Sequence, residues 1–164
     1  MKKALLICVM CLTAFSFCTL TSCNKDDEGD YVDLGLPSGT KWKIENEAKP
    51  AGAACPLFTY DEAMSKYKGH MPFRDQWEEL LKYCNWNWVD ANIEWLVTGP
   101  NGNHITLPAE GYYKKDGSGP FSTNGSFYWS ATTYDEEDAY YMDDGGYVSF
   151  CDKGYYLSVR LVKQ

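Results

Sequence analysis

Histidine is scarce in this chain, and its scarcity limits the kinds of catalysis that are open to it. A hydrolase of the Ser/His/Asp type needs a histidine to accept the proton of its nucleophile. The two histidines are His70, in a Gly-His-Met turn between predicted helices, and His104, at the start of a predicted strand. No GxSxG nucleophile sequence accompanies either of them. We expect structural or surface roles for both, and no catalytic site.

Basic residues are also few, which restricts the partners. The chain has 15 Lys and Arg against 23 Asp and Glu, a formal charge of −8. Removal of the N-terminal leader described below would take away Lys2 and Lys3 and leave a charge of −10. Nucleic acids and anionic lipid surfaces require positive potential on a binding protein. The composition therefore argues against both as partners.

The cysteines available for a disulfide are fewer than the total of seven suggests. Four lie in the leader or at its end, namely Cys8, Cys11, Cys18 and Cys23, and the others are Cys55, Cys84 and Cys151. Three cysteines in an oxidising compartment allow at most one disulfide; alternatively, all three are small apolar fillers. No CxxC spacing or histidine-rich set predicts a zinc site, and we expect no metal and no cofactor.

The N-terminus has the pattern of an export signal. Met1-Lys2-Lys3 is positive, and residues 4–20 contain no charge. Leu20-Thr21-Ser22-Cys23 resembles a bacterial lipobox, in which the cysteine sulfur is diacylated before cleavage. We expect residues 1–22 to be a lipoprotein signal peptide and Cys23 to be the lipidation site. The alternatives are an uncleaved anchor helix, or an ordinary thiol after the signal of a soluble protein.

Residues 23–30 form an acidic tether with the sequence Cys-Asn-Lys-Asp-Asp-Glu-Gly-Asp. This resembles the export tag of Bacteroidota lipoproteins that reach the outer face of the outer membrane. Such a charge run would also be a solvated, disordered linker. We expect a lipid-anchored protein at the outer membrane that faces the exterior.

The remaining residues, 31–164, are long enough for one domain of the α+β class. A capping box of Thr59 and Glu62 predicts a first helix that runs to about Tyr67. Apolar residues at offsets of three, four and seven predict a second helix over 75–84. The predicted strands are 31–36, 41–44, 93–98, 104–107, 127–132, 139–142, 147–151 and 157–162.

Seven stretches of this domain resemble, in order, the Fibrobacter succinogenes major paralogous domain family. They are Val32–Trp42, Met71–Leu80, Val97–Asn103, Leu107–Tyr112, Tyr128–Thr132, Ala139–Tyr141 and Ser158–Val162. The resemblance implies a C-type-lectin-like domain with two helices beside a twisted antiparallel sheet and long loops. It implies no known activity.

Phe73 departs from the family, which usually has a capping Thr there, so we expect capping to pass to Asp75 with Glu78. The other departures are Ala109-Glu110, in place of a pair of small residues, and Asp144, where an aromatic residue is common. Compared with calcium-dependent lectins, Trp129-Ser130-Ala131 lacks the carboxylates that coordinate the ion.

Aromatic residues are dense in the C-terminal part of the domain and alternate there with Ser, Asp and Gly. Tyr offers a large contact area at little cost in rotamer entropy, and its flat ring stacks on sugars. Alternation in the strand from Ala139 predicts that Met142 faces the core, and that Tyr141 and Asp143 face outward. The predicted ligand-binding residues are Tyr134, Tyr141, Asp143, Tyr147, Ser149, Asp152 and Tyr155. Tyr128, Trp129 and Tyr140 are predicted to be packing residues, and Arg160 a structural partner.

These patterns favour a surface binding module, whose ligand is a glycan or a protein held by the C-terminal hairpin. A structural or assembly component of a cell-surface complex, such as a fimbrial tip, is the alternative. Residues 147–156 are mostly of types that adenine-directed retroelement mutagenesis produces, so a diversified receptor is a further hypothesis. An enzyme is the least favoured.

Overall fold

The computed structural model describes residues 28–143 and 145–164. The predicted leader, the lipidation site Cys23 and the tether as far as Asp27 lie outside the described residues. Glu28–Asp30 form one turn of 3-10 helix directly before the first strand. None of the helices in the described ranges is long and apolar enough to cross a membrane.

Two α-helices and nine β-strands make up the described part of the chain. The helices are α1 (Tyr60–Tyr67) and α2 (Arg74–Tyr83). The strands are β1 (Tyr31–Asp33), β2 (Lys41–Lys43), β3 (Asn85–Val89), β4 (Glu94–Thr98), β5 (His104–Pro108), β6 (Tyr128–Thr133), β7 (Asp138–Met142), β8 (Val148–Asp152) and β9 (Val162–Lys163).

The strands form three antiparallel sheets of three strands each, in the orders β1-β2-β9, β3-β4-β5 and β6-β7-β8. The predicted α+β class is confirmed. The single twisted sheet that the resemblance implied is instead divided into three small ones. The predicted strand 157–162 is shortened to β9, because residues 157–161 run through the interior and make only isolated bridges, such as Phe58 with Leu157.

Helix α1 begins as its sequence predicts. The Thr59 hydroxyl accepts a hydrogen bond from the Glu62 backbone N–H at 3.3 Å, and the Glu62 carboxylate accepts one from the Thr59 N–H at 2.8 Å. These two bonds satisfy backbone donors that the first turn of a helix leaves free. The predicted capping box is therefore confirmed.

Helix α2 begins one residue earlier than predicted, and its cap differs. Phe73 occupies the N-cap position, and its N–H donates to the side-chain oxygen of Gln76 at 2.8 Å. The Thr132 hydroxyl accepts from the N–H of Arg74 at 3.0 Å and so caps the helix from another part of the chain. The prediction that Asp75 caps with Glu78 is wrong, because Asp75 already lies within the first turn.

Two apolar clusters form the core, and sheet β6-β7-β8 lies between them. The first cluster contains Trp77 and Leu80 of α2, as the helical pattern predicted. Adjacent residues of the sheet alternate between the clusters: Tyr128 packs in the first cluster and Trp129 in the second. Such alternation is the property of a strand that is buried on both faces. Tyr128 and Trp129 are both fully buried, so their predicted packing role is confirmed.

Arg160 is fully buried and donates hydrogen bonds to three backbone carbonyls. Its Nη1 donates to the carbonyl oxygens of Lys43, at 2.8 Å, and of Ile44, and its Nη2 donates to that of Thr106 at 2.6 Å. Burial lowers the pKa of Arg160, and the Tyr128 hydroxyl acts in the opposite direction. The predicted structural role of Arg160 is confirmed.

Candidate binding cleft

A cleft of about 250 Å³ opens on the second-cluster face of sheet β6-β7-β8. Its lining residues are Tyr112, Phe127, Tyr141, Cys151, Tyr155 and Leu157. Leu157 is buried, whereas the other five are partly exposed. The site is therefore an aromatic cleft that solvent can reach, built from segments far apart in the sequence.

Tyr112 is placed by the long loop that follows β5. Its N–H donates to the Phe121 carbonyl at 3.0 Å, and the Phe121 N–H donates back at 2.8 Å, so that the loop returns on itself. Gly111 directly before it has φ +67°, and a Cβ there would lie 2.3 Å from the Phe121 oxygen. Only glycine fits this close approach with a positive φ.

Tyr155 is placed by the turn that follows β8. Its N–H donates to the Asp152 carbonyl at 3.0 Å. Tyr113 and Tyr156 then form an antiparallel bridge with two hydrogen bonds, of 3.1 and 2.9 Å. Tyr112 and Tyr155 each come one residue before this bridged pair. Their side chains therefore lie together on the opposite face, as diagonal neighbours. Their rings are stacked with 6.0 Å between centroids and 7° between planes.

Phe127 and Tyr141 continue the aromatic lining of the cleft from Tyr112. The Phe127 ring lies 6.1 Å from that of Tyr141 and 5.2 Å from that of Tyr112, and it is nearly perpendicular to the latter. Tyr141 pairs with Ser149 across β7 and β8, and their side chains are hydrogen-bonded. Burial raises the pKa of Tyr141, with further increases from Cys151 and Asp143, against the hydrogen bond from Ser149.

Cys151 contributes a protonated thiol to the cleft. Burial raises its pKa to about 12, and the carboxylates of Asp138 and Asp152 add to the increase. A thiol is nucleophilic only as the thiolate, so the raised pKa disfavours reaction of Cys151 at neutral pH. Burial likewise raises the pKa of Cys84 to about 11. In residues 28–143 and 145–164, all three cysteines are free, which supports the apolar-filler alternative over a disulfide.

The structure brings three of the seven predicted ligand-binding residues to this cleft. Tyr141 and Tyr155 line it, and Ser149 lies beside Tyr141. Tyr141 was expected to face outward; it is partly exposed in the cleft, and it also packs against the second cluster, which half-buries it. Met142 is fully buried, as predicted.

Asp143 is a predicted ligand-binding residue that shapes a turn instead. It is partly exposed directly after β7, and its carboxylate accepts hydrogen bonds from the N–H groups of Gly145 and Tyr147.

The last three of the seven predicted ligand-binding residues also lie outside the cleft. Tyr134 stacks on Phe150 on the opposite face of the sheet, with 3.9 Å between centroids and 3° between planes. Tyr147 is 70 % exposed near the tip of the β7–β8 hairpin. Asp152 accepts from the Gly154 N–H at 2.7 Å and pairs with Lys115 at 3.3 Å, so it organises the turn before Tyr155.

We define the outer aromatic patch as Tyr134, Tyr140, Phe150 and Arg74. The Arg74 guanidinium lies 4.7 Å over the Tyr140 ring, and Tyr134 packs against the same ring edge-on. Tyr140 was expected to be a packing residue; it is partly exposed, and it packs against Tyr134, Phe150 and Arg74 rather than in either apolar cluster. The patch and the cleft therefore lie on opposite faces of one sheet.

A larger depression, of about 410 Å³, lies beside the cleft and is strongly polar. Both of its lysines are engaged with nearby groups: Lys153 donates to the carbonyls of Asp135 and Glu136, both at 2.7 Å, and Lys115 pairs with Asp152. Across the described ranges, no group of three or more His, Cys, Asp or Glu side chains could hold a metal ion. His70 and His104 are both exposed, in keeping with surface roles.

Comparisons of this chain with protein-family models, with curated proteins and with solved structures give no match. The evidence for the site is therefore the geometry of the cleft itself.

The sequence did not single out Tyr112, Phe127 or Cys151 as site residues. Gly111-Tyr112-Tyr113 stands out as a glycine followed by two aromatic residues, which is typical of a close backbone approach beside an exposed ring. The bridge between Tyr112 and Phe121 crosses a polar loop, and nothing in the periodicity of the sequence indicates that pairing.

Proposed function

We propose that this chain is a lipid-anchored binding protein of the bacterial cell surface, without catalytic activity. Its ligand, a glycan or a protein, would be held in the aromatic cleft. We further propose that its α+β domain is of the C-type-lectin-like kind found in the major paralogous domain family. The two helices, the small antiparallel sheets and the long loop between β5 and β6 are compatible with that fold.

The observation that carries this proposal is the meeting of four partly exposed aromatic rings in one cleft. Most binding pockets combine apolar and aromatic walls with a few polar groups that orient the ligand. Here Tyr112, Tyr141 and Tyr155 supply both ring faces and hydroxyl groups, and Phe127 completes the wall. These rings rest on the second apolar cluster, so the cleft is formed before a ligand arrives.

The chemistry of the cleft supports binding rather than catalysis. Its thiol is held in the protonated form by burial and by two nearby carboxylates. Both imidazoles of the chain are exposed, His70 between α1 and α2 and His104 at the start of β5. Covalent catalysis would instead require a nucleophile, a base and an orienting group within hydrogen-bond reach of one another.

The anchor and the location rest on the sequence. The lipobox ending at Cys23 would supply several acyl chains, and each buried methylene contributes about 0.8 kcal/mol to membrane binding. The acidic run over residues 24–30 supports export to the outer face. A domain with excess negative charge on such a tether would project into the medium rather than lie on anionic lipid.

A second candidate is an assembly component of a cell-surface complex, and the outer aromatic patch favours it. Tyr134 is 49 % exposed and Phe150 is 45 % exposed. Aromatic residues and Arg are enriched in the cores of protein interfaces. A partner encoded beside this gene would contact the patch and leave the cleft open.

Glycan and protein arrays probed with the full chain in non-ionic detergent test the proposal. The double variant Tyr112→Ala/Tyr155→Ala should abolish binding to the captured ligand. The matched variant Tyr134→Ala/Phe150→Ala changes two aromatic residues on the opposite face and should bind normally. Loss of binding only in the second variant would favour the assembly component. The proposal would be overturned if both variants bound as well as the unaltered chain.

A further inference from the structure

Strand β8 forms an open edge of its sheet. The order β6-β7-β8 places β7 on one side of it and no strand of the described ranges on the other. Its register with β7 is constant, from Asp138 opposite Asp152 to Met142 opposite Val148. The strand contains no Lys, Pro or bulge, the devices that commonly protect a sheet edge from pairing. This edge is therefore accessible to a further strand.

The backbone of Phe150 points toward the open edge. At the two ends of the ladder, Asp143 with Tyr147 and Glu137 with Lys153 are each joined by a backbone hydrogen bond of 3.0 Å. Bonded pairs alternate with unbonded pairs along an antiparallel ladder, and Phe150 lies three residues from each of these ends, in an unbonded pair. Its N–H and C=O groups thus face away from β7. Within the described ranges no hydrogen bond reaches either group.

The outer aromatic patch extends to the same edge. Phe150 is 45 % exposed and stacks on Tyr134 with 3.9 Å between centroids, and the ring of Tyr140 meets both of them edge-on. In a sheet, residues that lie opposite each other on neighbouring strands have side chains on the same face. A strand paired with β8 would therefore place every second side chain on the face of this patch, beside Phe150.

The sheet carries an excess of negative charge. Residues 128–153, which contain β6, β7 and β8, include seven Asp and Glu against one basic residue, Lys153. Arg74 and Lys115 lie close by, but each pairs with an acidic residue, Glu78 and Asp152 respectively. Pairing of two copies of β8 would bring two such acidic sheets together, which is unfavourable. A segment that carries Lys or Arg would complement the charge.

From these observations we propose that β8 binds an extended segment of another protein, which adds a fourth strand to the sheet. Apolar or aromatic side chains of the segment face the outer aromatic patch, and Lys or Arg residues flank them. Addition of a strand to an exposed edge is a recurring mode of peptide recognition, in which backbone hydrogen bonds provide the affinity. The segment binds outside the cleft, so this inference goes beyond the proposed cleft ligand and does not depend on it.

Fluorescence anisotropy of dye-labelled peptides with the full chain in non-ionic detergent tests the inference. The basic probe is Lys-Thr-Phe-Thr-Tyr-Thr-Lys, in which aromatic residues and Thr alternate as the two faces of a strand do. The acidic probe has Glu in place of both Lys. We expect the basic probe to bind about tenfold more tightly at low ionic strength. The difference should shrink in about 1 M salt, where the screening length is only about 3 Å.

Methylation of alternate backbone amides separates strand pairing from docking of side chains alone. A paired strand directs only every second N–H toward its neighbour. One methylated probe carries N-methyl groups on Phe and Tyr, and the other carries them on the Thr residues. One of the two should bind about tenfold or more weakly than the basic probe, and the other should bind nearly as well.

Two substitutions at one position separate the backbone of β8 from its ring. Phe150→Ala removes the ring and should weaken the basic probe about tenfold. Phe150→Pro also removes the outward N–H, a change that edge strands tolerate, and should abolish binding. The cleft variant Tyr112→Ala/Tyr155→Ala is the matched control and should bind the basic probe as the unaltered chain does. The methylated probes need no variant, so they decide the question even if Phe150→Pro fails to fold.

Equal binding of the two methylated probes would overturn the inference, as would no binding of the basic probe. A dimer of the unaltered chain in sedimentation, converted to a monomer by Phe150→Pro, would overturn it too, because a second copy would then occupy the edge. If the cleft captures a ligand on the arrays and the basic probe does not bind, the inference fails and the proposed function stands. If the basic probe binds and the cleft captures nothing, the inference stands alone.

Discussion

The rings of Tyr112 and Tyr155 lie parallel, 6.0 Å apart, although one follows β5 and the other follows β8. Two backbone hydrogen bonds between Tyr113 and Tyr156 determine this arrangement. The pair joins the long loop to the end of the C-terminal hairpin. Hence the wall of the cleft depends on a backbone bridge rather than on the flexible contacts of side chains.

Arg160 should be the most sensitive polar position for stability. Arg160→Ala would leave the carbonyls of Lys43, Ile44 and Thr106 buried without their donor. Each such orphaned group costs about 1–3 kcal/mol, so we expect the free energy of unfolding to fall by at least about 3 kcal/mol. Urea denaturation followed by tryptophan fluorescence measures it.

The control for that prediction is Arg74→Ala. Its guanidinium is exposed and pairs with Glu78, and exposed ion pairs contribute little because water and salt screen them. The urea midpoint of this variant should barely move. Equal losses in the two variants would contradict the structural role of Arg160.

Phe73→Thr should stabilise helix α2. Phe73 stands at the N-cap with no side-chain acceptor, and it is 53 % exposed, so little packing is lost by its removal. A Thr hydroxyl there could accept from the Gln76 N–H and complete the half-formed capping box. We expect a gain of about 1 kcal/mol in the free energy of unfolding. Phe73→Ala, which adds no acceptor, should show no gain; equal gains in both variants would contradict the capping argument.

Stability should fall as the pH rises above about 9. The pKa of Cys151 is raised from 9.0 to about 12 in the folded protein, mainly by burial. In this window the unfolded chain loses the thiol proton and the folded chain keeps it, so higher pH favours unfolding. In the unaltered chain the free energy of unfolding should decrease between pH 9 and 11. Cys151→Ala should make this decrease less steep, by up to about 1.4 kcal/mol per pH unit.

The neighbouring variant Val148→Ala is the control for the pH effect. It lies on the same strand and packs against the first cluster, and it removes no group that titrates in this range. Its denaturation series should keep the slope of the unaltered chain. A slope that Cys151→Ala leaves unchanged would show that this thiol does not stay protonated in the folded state.

Local patterns predicted those parts of the fold that depend on neighbouring residues. The Thr59–Glu62 capping box begins α1 where expected, since its two hydrogen bonds lie within one turn. The hairpin of β4 and β5 joins the adjacent predicted strands 93–98 and 104–107, and the side chain of Asn101 in its turn donates to the Asp33 carbonyl. Such features need no knowledge of distant segments.

The cleft could be predicted only in part, because its walls come from three distant segments. Alternation correctly placed Met142 in the core, yet it could not show that the other face of β7 also packs on a cluster, which half-buries Tyr141. Tyr134 and Tyr155 look alike in sequence. They lie on opposite faces because Tyr134 stacks on Phe150, whereas Tyr155 stacks on Tyr112.

The lipid anchor is tested at its cysteine. Cells that express Cys23→Ala should show no incorporation of radiolabelled palmitate into this chain, and the protein should move to the aqueous phase on detergent partition. Cys18→Ala, five residues earlier in the leader, should be labelled normally. Palmitate on the Cys23→Ala chain would contradict the assignment of the lipidation site and the surface location that depends on it.

Hydroxyl-radical footprinting of the tyrosines, with and without the partner captured on the arrays, tests most directly whether the cleft is the binding site. Tyr141 and Tyr155 should lose reactivity when the partner is bound. Tyr134 and Tyr147, which lie outside the cleft, should react as before. Protection of Tyr134 and Tyr147 with no change at Tyr141 and Tyr155 would contradict the account.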